Sequence, residues 1–348
     1  MYVRQITKQE AGQRLDRYLY KLLPMAGTGF VHKMLRKKNI TLNGKKAEGN
    51  EKLNPEDQVE IFFAEETLQK FMGHKPAVHP QDAGNRNLAA QDFCNIYENF
   101  CPIPVIYENS HILLADKPAG ILTQKASPTD RSLNEWLIGY LLMQKEIRPQ
   151  DLDTCRPSVC NRLDRNTSGI VLCAKSVIGA QLLGRLLQDR TLHKYYQLYV
   201  KGRIQDSRKI EGYLTKDVRH NKVTITSKAL RQDAFSKEAS YIKTRYQPLQ
   251  TESDKTLLEV ELITGKSHQI RAHLASIGHP ILGDYKYGDP NWNDYYKKTC
   301  QIQSQLLHAY KVTFPELEPP FEDISGRTFQ TGLPALFTRA SKETFNIS

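Results

Sequence analysis

The chain has 348 residues, of which 39% are hydrophobic and 25% are charged, and its formal net charge is +11. This composition is typical of a globular protein of roughly two domains, and the positive charge favours a polyanionic partner without defining a function. No apolar run approaches the roughly 18 residues that span a bilayer, and the first residues lack the pattern of a signal peptide. We therefore expect a cytoplasmic protein with no membrane-spanning segment.

Residues 1–64 are predicted to form a compact N-terminal α/β unit. Its first helix carries leucines at helical spacing, namely Leu15, Leu19 and Leu22. A second helix is predicted over residues 30–37, with Thr28 or Gly29 as its cap. The dipeptide Asn43-Gly44 predicts a tight hairpin, and residues 59–61 are predicted to close the unit as a strand.

A basic stretch joins the second predicted helix to this hairpin. Between residues 31 and 46 there are six basic residues and no acidic ones: Lys33, Arg36, Lys37, Lys38, Lys45 and Lys46. A charge run is often only a solvated face. Because this one connects a helix to a hairpin, its charges can converge on one surface, and we favour a nucleic-acid-binding surface that contributes salt-sensitive affinity more than rate.

Residues 65–104 are predicted to be an irregular linker, because glycines and prolines interrupt a stretch with little apolar periodicity. Within it, Phe93, Ile96, Tyr97 and Phe100 are spaced as in a short helix that packs on a domain.

Residues 105–348 are predicted to form a second, larger domain. Strands are predicted over residues 112–115, 170–174, 196–200 and 256–262. One helix is predicted to begin after the cap Ser176, and another to run from Ser267, as its cap, to Ile277. Strands outnumber helices, and neither a βαβ rhythm nor a glycine-rich phosphate loop is present. We therefore predict an α+β fold with a mixed, largely antiparallel sheet.

The most informative segment is the run Asn161-Arg162-Leu163-Asp164-Arg165-Asn166-Thr167-Ser168-Gly169, which leads into an apolar strand. It places one carboxylate, Asp164, between two arginines in a turn-forming stretch. We expect this carboxylate to stay ionised, because nearby positive charge favours the charged form. An ionised aspartate can act as a covalent nucleophile without a neighbouring base, although an isolated pattern of this kind is more often a surface turn.

Together with four later segments, this run resembles the RluA/RluC-type pseudouridine synthases. The later segments lie in the family's order between residues 194 and 309: Lys194-Tyr195-Tyr196 continued by residues 197–202, Thr264-Gly265-Lys266-Ser267-His268-Gln269-Ile270-Arg271-Ala272-His273, His279-Pro280-Ile281-Leu282-Gly283-Asp284 and Leu307-His308-Ala309. The turn Asp116-Lys117-Pro118-Ala119-Gly120 is also similar to the family, and residues 1–64 resemble its S4 RNA-binding domain. Two positions depart from the pattern: Asn161 stands where the family has His, and Leu198 where it has Ala.

The resemblance implies roles for three catalytic residues. Asp164 would be the nucleophile, acting at the base or at the anomeric carbon of the ribose. Tyr196 would support the flipped base, although a tyrosine at a strand start also suits core packing. Arg271 would orient the Asp164 carboxylate through charge-assisted hydrogen bonds.

The resemblance also implies contacts with the substrate. Arg162 would enter the gap left by the flipped base, with a phosphate contact as the alternative. Further substrate-binding residues would be Lys117, Thr264, His268 and Gln269, whereas His279 and His308 suit structural roles equally well.

We expect no cofactor, because the isomerisation of uridine involves neither a redox change nor a group donor. We also expect no metal: His268 and His273 would lie about 140° apart around a helix, and the six cysteines form no pair with zinc-ligand spacing. The predicted partner of this monomer is RNA, with 23S rRNA favoured and tRNA as the alternative. Of the other classes, a non-catalytic RNA-binding protein remains open, whereas a zinc deaminase is excluded because its motif is missing.

Overall fold

The computed structural model describes residues 1–73, 90–217, 222–226 and 239–342. These residues form a small N-terminal unit and a larger domain, each with its own sheet and hydrophobic core.

The N-terminal unit packs two helices against a four-stranded sheet of order β1-β4-β2-β3. Its elements are β1 (Tyr2–Gln5), α1 (Leu15–Leu22), α2 (Thr28–Arg36), β2 (Ile40–Leu42), β3 (Lys45–Lys46) and β4 (Gln58–Ile61). The predicted hairpin is confirmed. Asn43 and Gly44 both have positive φ, 51° and 70°, as the favoured two-residue turn between twisted strands requires. The second helix begins at Thr28, two residues earlier than predicted, after Gly27 as its N-cap.

The prediction of an irregular linker over residues 65–104 is wrong in part, because two helices lie within it. Helix α3 (Glu65–Met72) packs on the N-terminal unit, where Leu68 joins that unit's core. Helix α4 (Ala90–Glu98) is the predicted short helix, and its Phe93 is buried. Residues 74–89 lie outside the described residues. The prediction missed α3 because its tertiary contacts, rather than its weak periodicity, stabilise it.

The larger domain is built on an extended sheet, and the predicted α+β class is confirmed. The order of its main strands is β11-β10-β12-β13-β9-β14-β8-β6-β5, with β15 paired to β14 and β7 paired to β8. Among the described strands, β14 and β8 form the one parallel pair. The strands are β5 (Val105–Glu108), β6 (Ile112–Lys117), β7 (Ser158–Val159), β8 (Ser168–Ala174), β9 (His193–Lys201), β10 (Arg208–Asp217), β11 (Lys222–Thr226), β12 (Ser240–Thr251), β13 (Lys255–Leu262), β14 (Leu307–Thr313) and β15 (Thr328–Gln330).

Five further α-helices cover this sheet in the described part of the chain: α5 (Leu133–Met143), α6 (Val177–Asp189), α7 (Gln269–Ser276), α8 (Pro290–Cys300) and α9 (Ala335–Ser341). Helix α4 lies against α5, where Gly139 leaves no room for a side chain: a Cβ there would lie 2.1 Å from the Phe93 carbonyl oxygen. Within the described ranges, no helix combines the length and the apolar character needed to cross a bilayer.

The two helix caps predicted for this domain had different outcomes. Ser176 caps α6 as predicted, its hydroxyl accepting a hydrogen bond from the Gly179 N–H. The predicted Ser267 cap is wrong: the N-cap of α7 is His268, which has a left-handed backbone (φ 56°) and makes no side-chain cap bond. The chain must turn sharply to bring α7 onto the sheet, and one left-handed residue provides that turn.

Candidate active site

Asp164 lies in the loop between β7 and β8, and the loop that follows β6 holds it in place. The Thr123 hydroxyl donates to the Leu163 carbonyl at 2.9 Å and accepts from the Leu163 N–H at 3.2 Å. The Gly120 N–H donates to the Arg165 carbonyl at 2.9 Å. Backbone bonds on both sides therefore fix the turn, and the Asp164 side chain remains 28% exposed.

Asn161, the residue that departs from the family pattern, has a structural partner. Its side-chain oxygen accepts a hydrogen bond from the Leu172 N–H in β8 at 2.7 Å. The asparagine therefore ties the start of the Asp164 loop to the sheet without contacting the carboxylate.

Arg271 connects Asp164 to a second carboxylate. Its Nη1 donates to Asp164 Oδ2 at 2.8 Å, while Nε and Nη2 donate to the two oxygens of Asp284 at 2.7 and 2.9 Å. Burial opposes the charge of Arg271, but its hydrogen bonds to Asp284, followed by the attraction of Asp164, raise its pKa above the usual value. The structure thus brings Asp164 and Arg271 together in a charge-assisted contact.

Asp284 is a site residue that the sequence reasoning did not identify. It is fully buried, and Asp284 Oδ1 also accepts hydrogen bonds from the Lys286 and Tyr287 backbone N–H groups at 2.9 and 3.2 Å. Its signal was present in the segment His279-Pro280-Ile281-Leu282-Gly283-Asp284, which was singled out without a role for its last residue. A buried carboxylate in that turn sets the orientation of the guanidinium.

Tyr196 lies on β9 near the charged cluster formed by Asp164, Arg271 and Asp284. It is 5% exposed and belongs to the hydrophobic core of the larger domain. Burial raises the pKa of its hydroxyl, and the nearby Asp164 charge raises it further. The phenol therefore stays protonated at neutral pH, and its hydroxyl can donate a hydrogen bond.

Lys117 does not reach the surface, contrary to its predicted contact with the substrate. It is fully buried, and its Nζ donates to three carbonyl oxygens, those of Pro118, Ile121 and Arg165, at 2.9, 2.8 and 3.1 Å. Burial lowers the pKa of Lys117 to about 7 against the attraction of Asp164, whereas the three acceptors match the three donors of an ammonium group. The geometry favours a role in holding the Asp164 loop.

Thr264 and Gln269 are enclosed in the same way. The Thr264 hydroxyl donates to Gln269 Oε1 at 2.9 Å, and Gln269 Nε2 donates to the Lys243 carbonyl at 3.1 Å. Both side chains are buried. They tie the turn before α7 to β12, which favours a positioning role over the predicted direct contact with RNA.

His268 lies beside the candidate nucleophile. Its Nε2 is 3.9 Å from Asp164 Oδ2, and its Nδ1 lies 2.9 Å from the Tyr287 hydroxyl. Burial lowers the pKa of His268, with the Asp164 charge opposing that effect. Tyr287, which the sequence reasoning also missed, accepts a hydrogen bond from the Val223 N–H at 3.0 Å and lies under the Arg271 guanidinium. It links β11 to the charged cluster.

The remaining predicted residues lie on the surface or in structural contacts. Arg162 is exposed beside Asp164, and the six basic residues of the N-terminal unit are all exposed on α2 and the hairpin that follows it. His308 lies buried in contact with the Ser168 hydroxyl at 2.8 Å, and the His279 ring bonds to the Lys201 carbonyl at 2.9 Å. These two histidines hold strand ends together.

Comparisons with known proteins agree on one class. A family model described as RNA pseudouridylate synthase matches residues 111–276. The chain is 28% identical to the ribosomal large subunit pseudouridine synthase C of Vibrio vulnificus, over 91% of this chain and 90% of that protein. It is also 28% identical to the ribosomal large subunit pseudouridine synthase D of Nitrosomonas europaea, over 87% and 77%.

A solved structure shares the fold. The structure titled human RNA pseudouridylate synthase domain containing 4 superposes with a TM-score of 0.56 at 20% identity, over 73% of this chain and 95% of that one. At this identity the likeness concerns the architecture of the sheet and its helices.

Proposed function

Because this chain belongs to the RNA pseudouridine synthase family, whose members isomerise uridine to pseudouridine, we propose that it modifies 23S rRNA with Asp164 as the nucleophile. The observation that carries the proposal is the arrangement of Asp164, Arg271 and Asp284. A partly exposed carboxylate, that of Asp164, is held by Arg271, which is itself held by the fully buried carboxylate of Asp284. This arrangement presents one preoriented anion to a substrate.

The reaction needs a nucleophile and a means of turning the base. The glycosidic bond between N1 and the ribose breaks, the base rotates, a bond forms from C5 to the same ribose carbon, and the C5 proton is lost while N1 gains one. Arg271 and His268 both approach Oδ2 of Asp164, at 2.8 and 3.9 Å. Oδ1 is therefore the oxygen directed at the base or at the anomeric carbon.

The flipped uridine requires support while the bond is remade. Extrusion from a paired region costs a few kcal/mol, and stacking on an aromatic ring returns roughly 1–3 kcal/mol per base. We assign this stacking to Tyr196. Arg162, exposed beside Asp164, would fill the space that the base leaves or bind the adjacent phosphate.

The assignment of 23S rRNA draws on the relatives named as large-subunit synthases and on the exposed basic surface of the N-terminal unit, which resembles an S4 domain. Such a substrate would place the protein in the cytoplasm. A tRNA substrate is the second candidate within the same chemistry.

The first test is to map pseudouridine in rRNA and tRNA from cells with and without this gene. The deletion should be complemented with wild type, with Asp164→Ala, or with Asp189→Asn, a control that changes an exposed aspartate at the end of α6. We expect one or more 23S sites to disappear and to return with wild type and the control but not with Asp164→Ala. If only a tRNA site changes, the rRNA assignment is wrong; if no site changes in either RNA, a non-catalytic RNA-binding protein is favoured over the proposed reaction.

A second test measures the chemical step of the purified protein. Asp164→Asn should lower the single-turnover rate by more than about 10⁴-fold, since loss of a nucleophile removes most of the catalysis. RNA affinity should remain within about threefold, because the substitution leaves the basic surfaces intact. Retained single-turnover activity in this variant would reject Asp164 as the nucleophile.

A further inference from the structure

Lys194 occupies a position on β9 for which the chemistry above has no role. It lies two residues before Tyr196, and residues two apart on a strand point to the same face of the sheet. That face carries Tyr196, Leu198 and Val200, all buried against the core of the larger domain. Lys194 therefore continues the row of side chains that contains Tyr196, one step nearer to the start of the strand.

The ammonium group of Lys194 is half-buried against the turn that precedes α7. A Cβ placed on Gly265 would lie 3.7 Å from Lys194 Nζ, so the missing side chain of the glycine leaves space beside the cation. Lys266, the next residue of the turn, is exposed. The positive charge of Lys194 is therefore reinforced rather than cancelled by its neighbour in this turn.

Within the described part of the chain, the side chain of Lys194 forms neither a hydrogen bond nor an ion pair, although its backbone pairs with β14 at Val312. Two other lysines of this domain behave differently: Lys311 on the adjacent β14 pairs with Glu259 at 2.9 Å, and Lys175, just after β8, pairs with Glu108 at 2.6 Å. Burial lowers the pKa of Lys194. Buried charges are normally paired, so the missing counter-charge of Lys194 calls for an external anion.

We propose that Lys194 binds a backbone phosphate of the RNA beside the nucleotide that stacks on Tyr196. RNA carries one negative charge per nucleotide, which is the counter-charge that Lys194 lacks. The inference rests on the proposed function for the identity of the anion. It extends that function by adding a phosphate contact on the sheet itself, separate from the basic surface of the N-terminal unit.

The test compares Lys194→Met, Lys194→Arg and the control Lys298→Met, which removes one exposed charge from α8. Binding to a 23S rRNA transcript should be measured between 50 and 200 mM salt by filter retention, an assay that needs no turnover. Lys194→Met should weaken binding about tenfold and reduce the slope of log affinity against log salt by about 0.7–0.9, the value for one phosphate contact. Lys194→Arg should restore most of the affinity, and Lys298→Met should bind like wild type.

Thermal unfolding separates this role from a structural one. Removal of an unpaired, half-buried charge should leave the midpoint of Lys194→Met unchanged or raise it. A lower midpoint with unchanged affinity and salt slope would overturn the proposal. If wild type converts no uridine but Lys194→Met still binds weakly with the reduced slope, the phosphate contact stands and the proposed reaction is wrong.

Discussion

Arg271 contacts two carboxylates that are far apart in the chain, and the two contacts differ in kind. Asp284 receives two parallel hydrogen bonds and is fully buried, whereas Asp164 receives one and is partly exposed. The buried pair orients the guanidinium, and the single remaining N–H···O bond orients the exposed carboxylate. Asp284 is therefore a positioning residue that acts through Arg271.

Asp284→Asn tests this positioning role. The amide keeps the shape of the carboxylate but removes its charge, which leaves Arg271 with one anionic partner. We expect the single-turnover rate to fall about 100-fold, as small misplacements of reacting groups can. The free energy of unfolding should fall by about 3 kcal/mol, because Arg271 is buried and loses the partner to which it makes two of its three charge-assisted hydrogen bonds. Urea unfolding and quenched-flow turnover measure the two effects; an unchanged rate in a folded variant would contradict the role.

Tyr196→Phe separates the ring of this residue from its hydroxyl. The ring should still stack on the base, so RNA affinity should stay near that of wild type. The raised pKa of Tyr196 keeps its hydroxyl protonated but makes it a weak acid, so the loss should lie at the low end of the 10²–10⁴-fold that general acid catalysis typically supplies. We expect a loss of about 10²-fold at saturating RNA. A Phe variant with the full rate would leave stacking as the only role of Tyr196, and Tyr196→Leu would then measure it.

At the scale of elements, helix α7 positions part of the site, because its side chains contact different partners around the helix. Ile270 and Leu274 pack into the core, Arg271 reaches Asp164, and the His273 ring contacts the Thr244 hydroxyl at 3.0 Å. The left-handed residue His268 sets the direction in which the helix starts. Movement of this one helix would therefore displace the arginine, the histidine and the turn next to Lys194 together.

The histidine within α7 should make stability depend on pH. Burial lowers the pKa of His273 to about 4, from the ordinary value of about 6.5. The unfolded chain therefore takes up a proton before the folded one as the pH falls below about 6.5. The neutral imidazole of His273 therefore makes its full contribution to the free energy of unfolding above that pH. This contribution decreases as the pH falls towards 4, by about 2 kcal/mol between pH 7 and pH 5.

Urea unfolding of wild type and His273→Gln at pH 7 and pH 5 measures this effect. The variant should lose about 2 kcal/mol less than wild type over this interval, since glutamine does not titrate. His193→Gln, which changes a histidine with an exposed side chain, serves as the control and should follow wild type. An equal loss of unfolding free energy in His273→Gln and wild type would show that other titrating groups cause the loss of stability at acid pH.

At the scale of the whole molecule, a buried polar cluster joins the N-terminal unit to the larger domain. Arg4 Nη2 donates to Glu10 Oε1 at 2.8 Å, to the Thr154 hydroxyl at 3.2 Å and to Asp151 Oδ1 at 3.5 Å. All four side chains are buried. These buried contacts therefore connect β1 and the chain that follows it to residues 151 and 154 of the larger domain.

Glu10→Ala should disturb this connection and the stability together. The change leaves Arg4 buried without its nearest anion, and we expect the free energy of unfolding to fall by about 3–5 kcal/mol. RNA affinity should fall as well, because the basic surface of the N-terminal unit and the site around Asp164 would no longer keep fixed relative positions. The exposed Glu48→Ala should change stability by less than about 0.5 kcal/mol. If Glu10→Ala unfolds like this control, the cluster does not hold the units together.

The sequence alone determined the features that depend on local pattern. Asn43-Gly44 predicted the hairpin because two residues with positive φ define that turn. The ordered segments singled out Asp164, Tyr196 and Arg271 as candidates, and the structure places Arg271 in contact with Asp164 although the two are 107 residues apart. The α+β class also followed from the strand pattern, because period and punctuation are local properties.

Only the tertiary structure decided which side chains are buried and which partners they have. It enclosed Lys117, Thr264 and Gln269, revealed Asp284 as the anchor of Arg271, and left Lys194 without a counter-charge. Burial and pairing depend on segments that meet across the sheet, so the spacing of residues within one segment does not predict them. The same charged residue can therefore bind RNA, position a loop or orient a nucleophile, according to what the rest of the chain packs against it.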